Sequence, residues 1–221
     1  MRLPQGSLSN RKAYMFWDKV AFVYDIFVNV INRKVHEKLK EDVFSLIQKE
    51  DVVLECACGT GMLSRPIALK CKTLIANDLS QKMTDKARQN CKDIKNIEFE
   101  TADIMKLRYE DDSFNKVVAA NVIHLLDQPQ AAVKELMRVC KDGGTLIIPT
   151  YMNKEDKKKN SSIIKTIDKA GADFKQGFDV NSYKRFFEGL GFKDGEYSYI
   201  EGKIPCCIAI LKLQKNDQTN V

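Results

Sequence analysis

Three features of this sequence predict an α/β fold built on a doubly wound, mostly parallel sheet. Short apolar runs of strand length alternate with segments of helical periodicity between residues 52 and 149. Glu55, Gly59 and Gly61 mark a tight turn where the first such run passes into a helix. The last two runs are too close in sequence for a crossover, which requires an antiparallel hairpin at the end of an otherwise parallel sheet.

The elements follow in order. Val52-Val53-Leu54 is a β run ending at Glu55, and Met62, Leu63, Ile67 and Ala68 recur at helical spacing beyond the turn. Residues 73–76 read as a second strand. Ser80 then stands at the N-cap of a helix whose Met83, Ala87 and Cys91 fall four apart on one face. Residues 97–101 are a third strand and residues 116–121 a buried fourth. Pro129 opens a helix carrying Val133, Leu136, Met137 and Cys140, with its stop expected at Gly143-Gly144 and a fifth strand over residues 145–149. A parallel neighbour needs a crossover, and right-handed crossovers lay helices on the sheet, so both faces are covered. Tyr183, Phe186, Phe187 and Leu190 form a later amphipathic helix ended by Gly191. The closing strands, residues 196–200 and 204–213, are expected to meet at a short turn at Glu201-Gly202.

The 221 residues suffice for a single domain, residues 1–221, with appendages. Residues 1–48 form a helical cap with an aromatic-rich start, Tyr14, Phe16, Trp17, Phe22, Tyr24 and Phe27. Residues 151–178 insert a polar loop and a short helix carrying Ile163, Ile164, Ile167 and Ala170. Both stand in sequence where a lid over the carboxyl ends of the strands would, and ligands bind there in open α/β sheets.

Composition excludes several classes. The 44% hydrophobic and 30% charged content is that of a globular chain, not a disordered or fibrous one. The net charge of +6 is spread without a basic half or tail, so no nucleic-acid partner is expected. Lys157-Lys158-Lys159, flanked by Asp156 and Asn160, reads as a solvated loop. No stretch reaches the roughly 18 to 20 apolar residues of a membrane span, and the N-terminus lacks the apolar core of a signal peptide; a cytoplasmic location is expected. Seven cysteines without C-x-x-C spacing read as reduced thiols used as small hydrophobes, with no metal site.

The stretch from Val53 to Gly61 places an acid at a strand end before small residues and two glycines. Glycine there lets a ligand approach main-chain N–H groups at the next helix's N-terminus. Asp78, about twenty residues on and just past the second strand, is placed to accept both hydroxyls of a ribose. Ala102-Asp103-Ile104 after the third strand offers a carboxylate and a following backbone N–H to an adenine edge. Three such contacts in register argue for an adenosine ligand.

On these residues the chain resembles the class I S-adenosylmethionine-dependent methyltransferases over roughly residues 14–213. The resemblance is most specific in residues 55–61, in Asn77-Asp78-Leu79-Ser80-Gln81-Lys82-Met83, and in Asn121-Val122-Ile123-His124-Leu125-Leu126-Asp127. It is similar above all to the small-molecule branch of ubiquinone and menaquinone biosynthesis methyltransferases, and Tyr24-Asp25 looks like that branch's N-terminal Tyr-Asp element. The resemblance implies a seven-stranded Rossmann-like sheet with a reversed C-terminal hairpin. It also implies S-adenosylmethionine as cofactor, S-adenosylhomocysteine as product and a small-molecule acceptor. On it, Glu55 and the backbone of Ala57, Cys58, Gly59, Thr60 and Gly61 hold the methionine moiety, and Asp78 holds the ribose. Leu79 and Met83 meet the adenine face; Ala102, Asp103 and Ile104 meet its edge. The Asn121 carbonyl takes the ammonium group, and Tyr24 belongs to the cofactor site. Ala57 departs from the family's commonest pattern, which has glycine there, and this bears on the geometry of the turn.

Methyl transfer is an in-line displacement at a sulfonium, to which a protein contributes alignment, worth on the order of 7 to 11 kcal/mol at best, and a dry pocket. Trp17 and Tyr24 either close that pocket or stack on substrate, or belong to an ordinary helix face. His124, directly after the fourth strand, is the candidate general base and substrate contact for a hydroxyl acceptor; the other reading has it hydrogen-bonded beneath a loop. His36 lies in a charged helical stretch and is read as having no role. Three alternatives stand beside this reading. Methylation of RNA or protein is one, although no Asn-Pro-Pro-Tyr-type motif follows the fourth strand. A nicotinamide-dependent oxidoreductase is another: Ser64 loosely completes a dinucleotide fingerprint, but Glu55 and the terminal hairpin leave no second mononucleotide half. The third is a protein that binds the cofactor without catalysis.

Overall fold

The computed structural model describes residues 32–153 and 175–215. Trp17, Tyr24 and the rest of the aromatic-rich start, the lysine run at 157–159 and the helix expected around residues 163–170 lie outside the described residues.

Helix α1 (Arg33–Leu46) leads into β1 (Val52–Cys56), α2 (Ser64–Ala68), β2 (Thr73–Asp78), α3 (Gln81–Asn90), β3 (Ile97–Thr101) and β4 (Phe114–Ala119). A 3-10 turn (Ile123–Leu125), α4 (Pro129–Val139), β5 (Cys140–Tyr151), α5 (Val180–Glu188), β6 (Glu196–Ile200) and β7 (Cys206–Lys212) complete the order. The strands form one seven-stranded sheet in the order β3-β2-β1-β4-β5-β7-β6. Strands β1 to β5 are parallel, and β7 runs antiparallel between β5 and β6. The doubly wound α/β sheet with an antiparallel C-terminal hairpin is therefore observed. Its winding changes direction between β1 and β4, which opens a crevice at their carboxyl ends.

Alternate residues of each central strand feed opposite faces, and both faces are buried, as parallel strands covered by helices require. On one face Leu54, Val117 and Leu146 pack with Leu136 of α4 and Tyr183 and Phe187 of α5. On the other, Val53, Leu74, Val118 and Ile147 pack with Val35 and Leu39 of α1, Ile67 of α2 and Ala87 of α3. All seven cysteines are buried free thiols, and all seven belong to these two clusters. Ser80 caps α3 by accepting from the Met83 N–H at 3.2 Å, and Pro129 occupies the first turn of α4, both as expected. Among the described residues no helix is long and apolar enough to cross a membrane.

Several boundaries differ from the sequence expectation, among them that of β2, which runs on through Asp78. Met62 and Leu63 belong to the turn before α2, not to the helix. Strand β4 spans Phe114–Ala119, starting and ending two residues early. Helix α4 ends at Val139, and β5 begins at once with Cys140 pairing Phe114; the ladder then resumes at Lys116 with Thr145, so residues 141–144 bulge out of it. The connection between β6 and β7 spans residues 201–205, longer than a tight turn at Glu201-Gly202. It is held by α1: the Asn32 side chain donates to the Ile204 carbonyl at 2.7 Å and accepts from its N–H at 3.2 Å.

In the described part of the cap, Val35, Leu39 and Val43 of α1, with Ile47 just beyond it, pack in the cluster on one face of the sheet.

Gly144 closes the β5 bulge where a Cβ would lie 2.8 Å and 2.9 Å from the carbonyl oxygens of Lys141 and Asn115 and 2.7 Å from Cys140 Sγ. Gly144→Ala is expected to lower the free energy of unfolding by about 1 to 3 kcal/mol in urea titration. Undiminished stability would mean that the bulge relaxes around the methyl group.

Candidate active site

The turn after β1 is built from three left-handed residues, Ala57 (φ 54°), Gly59 (φ 55°) and Gly61 (φ 88°). Two are glycine, for which this conformation is free of strain; Ala57 holds it at a cost of about 1 to 2 kcal/mol. Partners from β2 hold the turn in place. The Cys58 N–H donates to the Asn77 carbonyl at 2.9 Å, and the Gly59 N–H donates to Asp78 Oδ2 at 2.9 Å. Asp78 Oδ1 accepts from the Ser80 N–H at 2.9 Å, so one carboxylate joins the glycine turn to the start of α3. A Cβ on Gly61 would lie 3.2 Å from Ala87 Cβ, because α3 packs against that side. A Cβ on Gly59 would meet nothing within 4 Å, so the opposite side is an open cradle.

Glu55, at the end of β1, is 2% exposed, and Ser64 Oγ donates to its Oε2 at 2.5 Å. Burial raises its carboxyl to about 8, with the Asp78 charge adding to the rise and the Ser64 hydroxyl opposing it. The carboxyl is thus mostly neutral at pH 7 until a cation reaches it. Across the crevice, Asn121 follows β4 in a left-handed conformation (φ 52°), fastened by its N–H to the Pro149 carbonyl at 2.8 Å. Its buried Oδ1 has no hydrogen-bond partner among the described residues. A buried acid, an amide oxygen lacking a donor and an open glycine cradle suit a ligand that carries an ammonium group.

The other rim residues lie at the neighbouring strand ends. The Ala102 N–H donates to the Asp78 carbonyl at 3.1 Å, tying β3 to β2, and Asp103 Oδ1 accepts from the Met105 N–H at 2.9 Å. Ile104 and Met83 are buried, and Leu79 is half-buried. The Thr60 carbonyl accepts from the Asn90 side chain at 2.9 Å, and burial pushes the Cys58 thiol well up, making it unreactive. The structure therefore brings Glu55, residues 57–61, Asp78, Leu79, Met83, residues 102–104 and Asn121 to the carboxyl ends of β1 to β4.

His124 is 3% exposed, and burial lowers its imidazole to about 3, so it is neutral at pH 7 and weakly basic. Its carbonyl accepts from the Lys175 and Gln176 N–H groups at 3.0 and 3.1 Å, beneath the returning chain. Two residues escaped the sequence reading. Ser64 appeared there only as a loose fit to a dinucleotide fingerprint, yet it holds Glu55. His36 is 1% exposed, and its Nε2 lies 2.7 Å from Tyr151 Oη. Helical spacing carries the signal for it: His36, Leu39 and Val43 share the buried side of α1.

Residues 54–148 match a family model described as a methyltransferase domain. The chain is 32% identical to the demethylmenaquinone methyltransferase of Clavibacter sepedonicus over 96 residues, which cover 43% of this chain and 39% of that protein. It is 31% identical over 137 residues to a ubiquinone/menaquinone biosynthesis C-methyltransferase of Bdellovibrio bacteriovorus, covering 60% of this chain and 58% of that one. The matched stretch thus spans less than two thirds of either relative. Among solved structures, the magnesium protoporphyrin IX methyltransferase of Synechocystis PCC 6803 with bound S-adenosylhomocysteine aligns at TM-score 0.74 and 16% identity, covering 93% of this chain and all of that one. Residues 54–148 thus match a methyltransferase domain, and the chain shares its fold with a solved methyltransferase.

The Glu55 carboxyl gives the cofactor-free protein a definite pH dependence. Its folded value of about 8 lies above the ordinary 4.5, so the native state holds this proton more tightly than the unfolded chain. That contribution to stability is complete below 4.5 and is lost as pH rises through about 8. The free energy of unfolding is expected to fall between about pH 5 and 8, and Glu55→Gln should flatten this slope. An unaltered slope in the variant would assign the titration to another group.

Proposed function

We propose that this methyltransferase fold transfers the methyl group of S-adenosylmethionine to a small organic acceptor. The observation that carries the reading is the junction at Asp78, which holds the Gly59 turn and the start of α3 together. It sets an open glycine cradle, a buried acid and a ribose-directed carboxylate along one crevice.

In this reading Glu55 and the 57–61 backbone receive the amino-acid end of the cofactor, with the Asn121 carbonyl on the ammonium group. Asp78 receives the ribose hydroxyls. Leu79 and Met83 meet the adenine face, and residues 102–104 its edge. The bound cofactor supplies an electrophilic methyl group on a cationic sulfur. The chain's part is to align that methyl with the acceptor and keep water out. Arrival of the ammonium group lowers the carboxyl of Glu55 towards its ionised form, so binding near neutral pH releases a proton. Relatives named for demethylmenaquinone and for ubiquinone/menaquinone biosynthesis make a naphthoquinol the first acceptor to try. A nicotinamide dinucleotide lacks support, because β7 is reversed and the sheet has no second mononucleotide half.

Calorimetric titration tests this. S-adenosylmethionine and S-adenosylhomocysteine should both bind while NAD and NADP do not, and Asp78→Ala should weaken binding by about 1.5 to 3 kcal/mol. Thermal unfolding of the variant, run alongside, separates a lost ribose contact from a loosened turn. A dissociation constant unchanged by Asp78→Ala would overturn the ribose assignment.

A further inference from the structure

The chain has two histidines, and both converge on Tyr151. The His36 ring centroid lies 6.2 Å and the His124 centroid 6.3 Å from that of Tyr151, and His36 Nε2 sits 2.7 Å from the phenolic oxygen. Tyr151 is the last residue of β5, at the carboxyl edge of the sheet, and is half-buried, while both imidazoles are buried. The arrangement is held from afar: Asn32 fastens the start of α1, and with it His36, to Ile204 at the entry of β7.

Its position matters because of what lies beside it. On the reading proposed above, which this inference presupposes, the adenosine takes the ends of β2 and β3 and the amino-acid end takes those of β1 and β4. That leaves the β5 side of the crevice for the acceptor, and the Asn121 N–H to Pro149 carbonyl bond draws the β4 and β5 ends together there. His124, neutral and weakly basic, lies beside Tyr151 just after β4.

We infer that Tyr151 and His36 form the acceptor-side proton-accepting pair of the site, and that they suit a flat acceptor bearing a phenolic or enolic hydroxyl. Tyr151 is the residue that touches the acceptor; His36 acts through it as the positioning and proton-holding residue. With His36 in the tautomer protonated at Nδ1, its Nε2 accepts the Tyr151 proton as Tyr151 Oη accepts the proton of the acceptor hydroxyl. The acceptor's electron pair then forms the bond to the methyl carbon while the methyl–sulfur pair stays on sulfur. The products are a neutral methylated acceptor, a neutral thioether and an imidazolium at His36, which returns its proton to water. Three aromatic rings at one edge favour a planar acceptor, whose hydroxyl is acidic enough for an imidazole-backed phenol to deprotonate.

The test uses the full-length protein loaded with S-adenosylhomocysteine and 4-nitrophenol as probe, because the yellow absorbance of the phenolate reports its ionisation in the bound state. At a pH where the free probe is mostly protonated, the wild type is expected to bind it as phenolate. Tyr151→Phe and His36→Gln should each weaken that binding or its ionisation by about tenfold or more, with S-adenosylhomocysteine affinity within about twofold of wild type. The retained cofactor affinity also shows that each variant is folded. Binding of the probe as neutral phenol, binding indifferent to both substitutions, or no binding to the loaded protein would overturn the inference and leave the cofactor reading intact. Failure of S-adenosylhomocysteine to bind the wild type would instead overturn the proposed function, and this inference with it.

Discussion

The double use of the Asp78 carboxylate is the constraint on which the rest of the site depends. A parallel sheet delivers the ends of β1 and β2 side by side, with Cys56 opposite Asn77, but it does not dictate what the chain does beyond them. Asp78 does so by accepting from Gly59 on one oxygen and from Ser80 on the other. Hydrogen bonds from backbone N–H groups to a carboxylate are charge-assisted and short, so the junction withstands the left-handed strain at Ala57. A neutral residue at 78 would leave two amides to find other partners at the point where the backbone must lie open to a ligand.

Burial of Glu55 completes this arrangement by a different route. A carboxyl at the end of a covered strand cannot shed its proton cheaply, and one hydroxyl, from Ser64, is too little to offset desolvation. Such a group favours any cation able to enter and hydrogen-bond with it. The acid therefore discriminates by charge, whereas the glycine cradle discriminates by shape, and the two face the same crevice from the end of one strand.

Much of the fold, and the placing of the candidate rim residues at the ends of β1 to β4, was legible in the sequence because both rest on local signals. The seven strands, the Ser80 cap and the Pro129 start are carried by residues close to one another in the chain. What was missed depends on distant partners. The Gly143-Gly144 pair read as a helix stop, yet the helix ends at Val139 because Cys140 finds Phe114 across the sheet. The short turn expected at Glu201-Gly202 became a longer connection because Asn32, far away in sequence, holds Ile204. His36 was passed over among charged neighbours, since only the packed helix shows that it shares the buried face.

The same distinction separates the two halves of the proposed chemistry. Residues directed at the cofactor cluster within the turns that follow β1 to β4, so their spacing along the chain encodes their geometry. Residues directed at the acceptor come from α1, the turn after β4 and the end of β5, and no spacing relates them. Their convergence depends on α1 packing on one face of the sheet with His36 beside the end of β5. On the proposed reading, a change in that helix, or in the 201–205 connection that Asn32 ties to it, alters the acceptor side and leaves the cofactor side untouched, so that acceptor specificity varies with the packing of one peripheral helix while the Asp78 junction stays fixed.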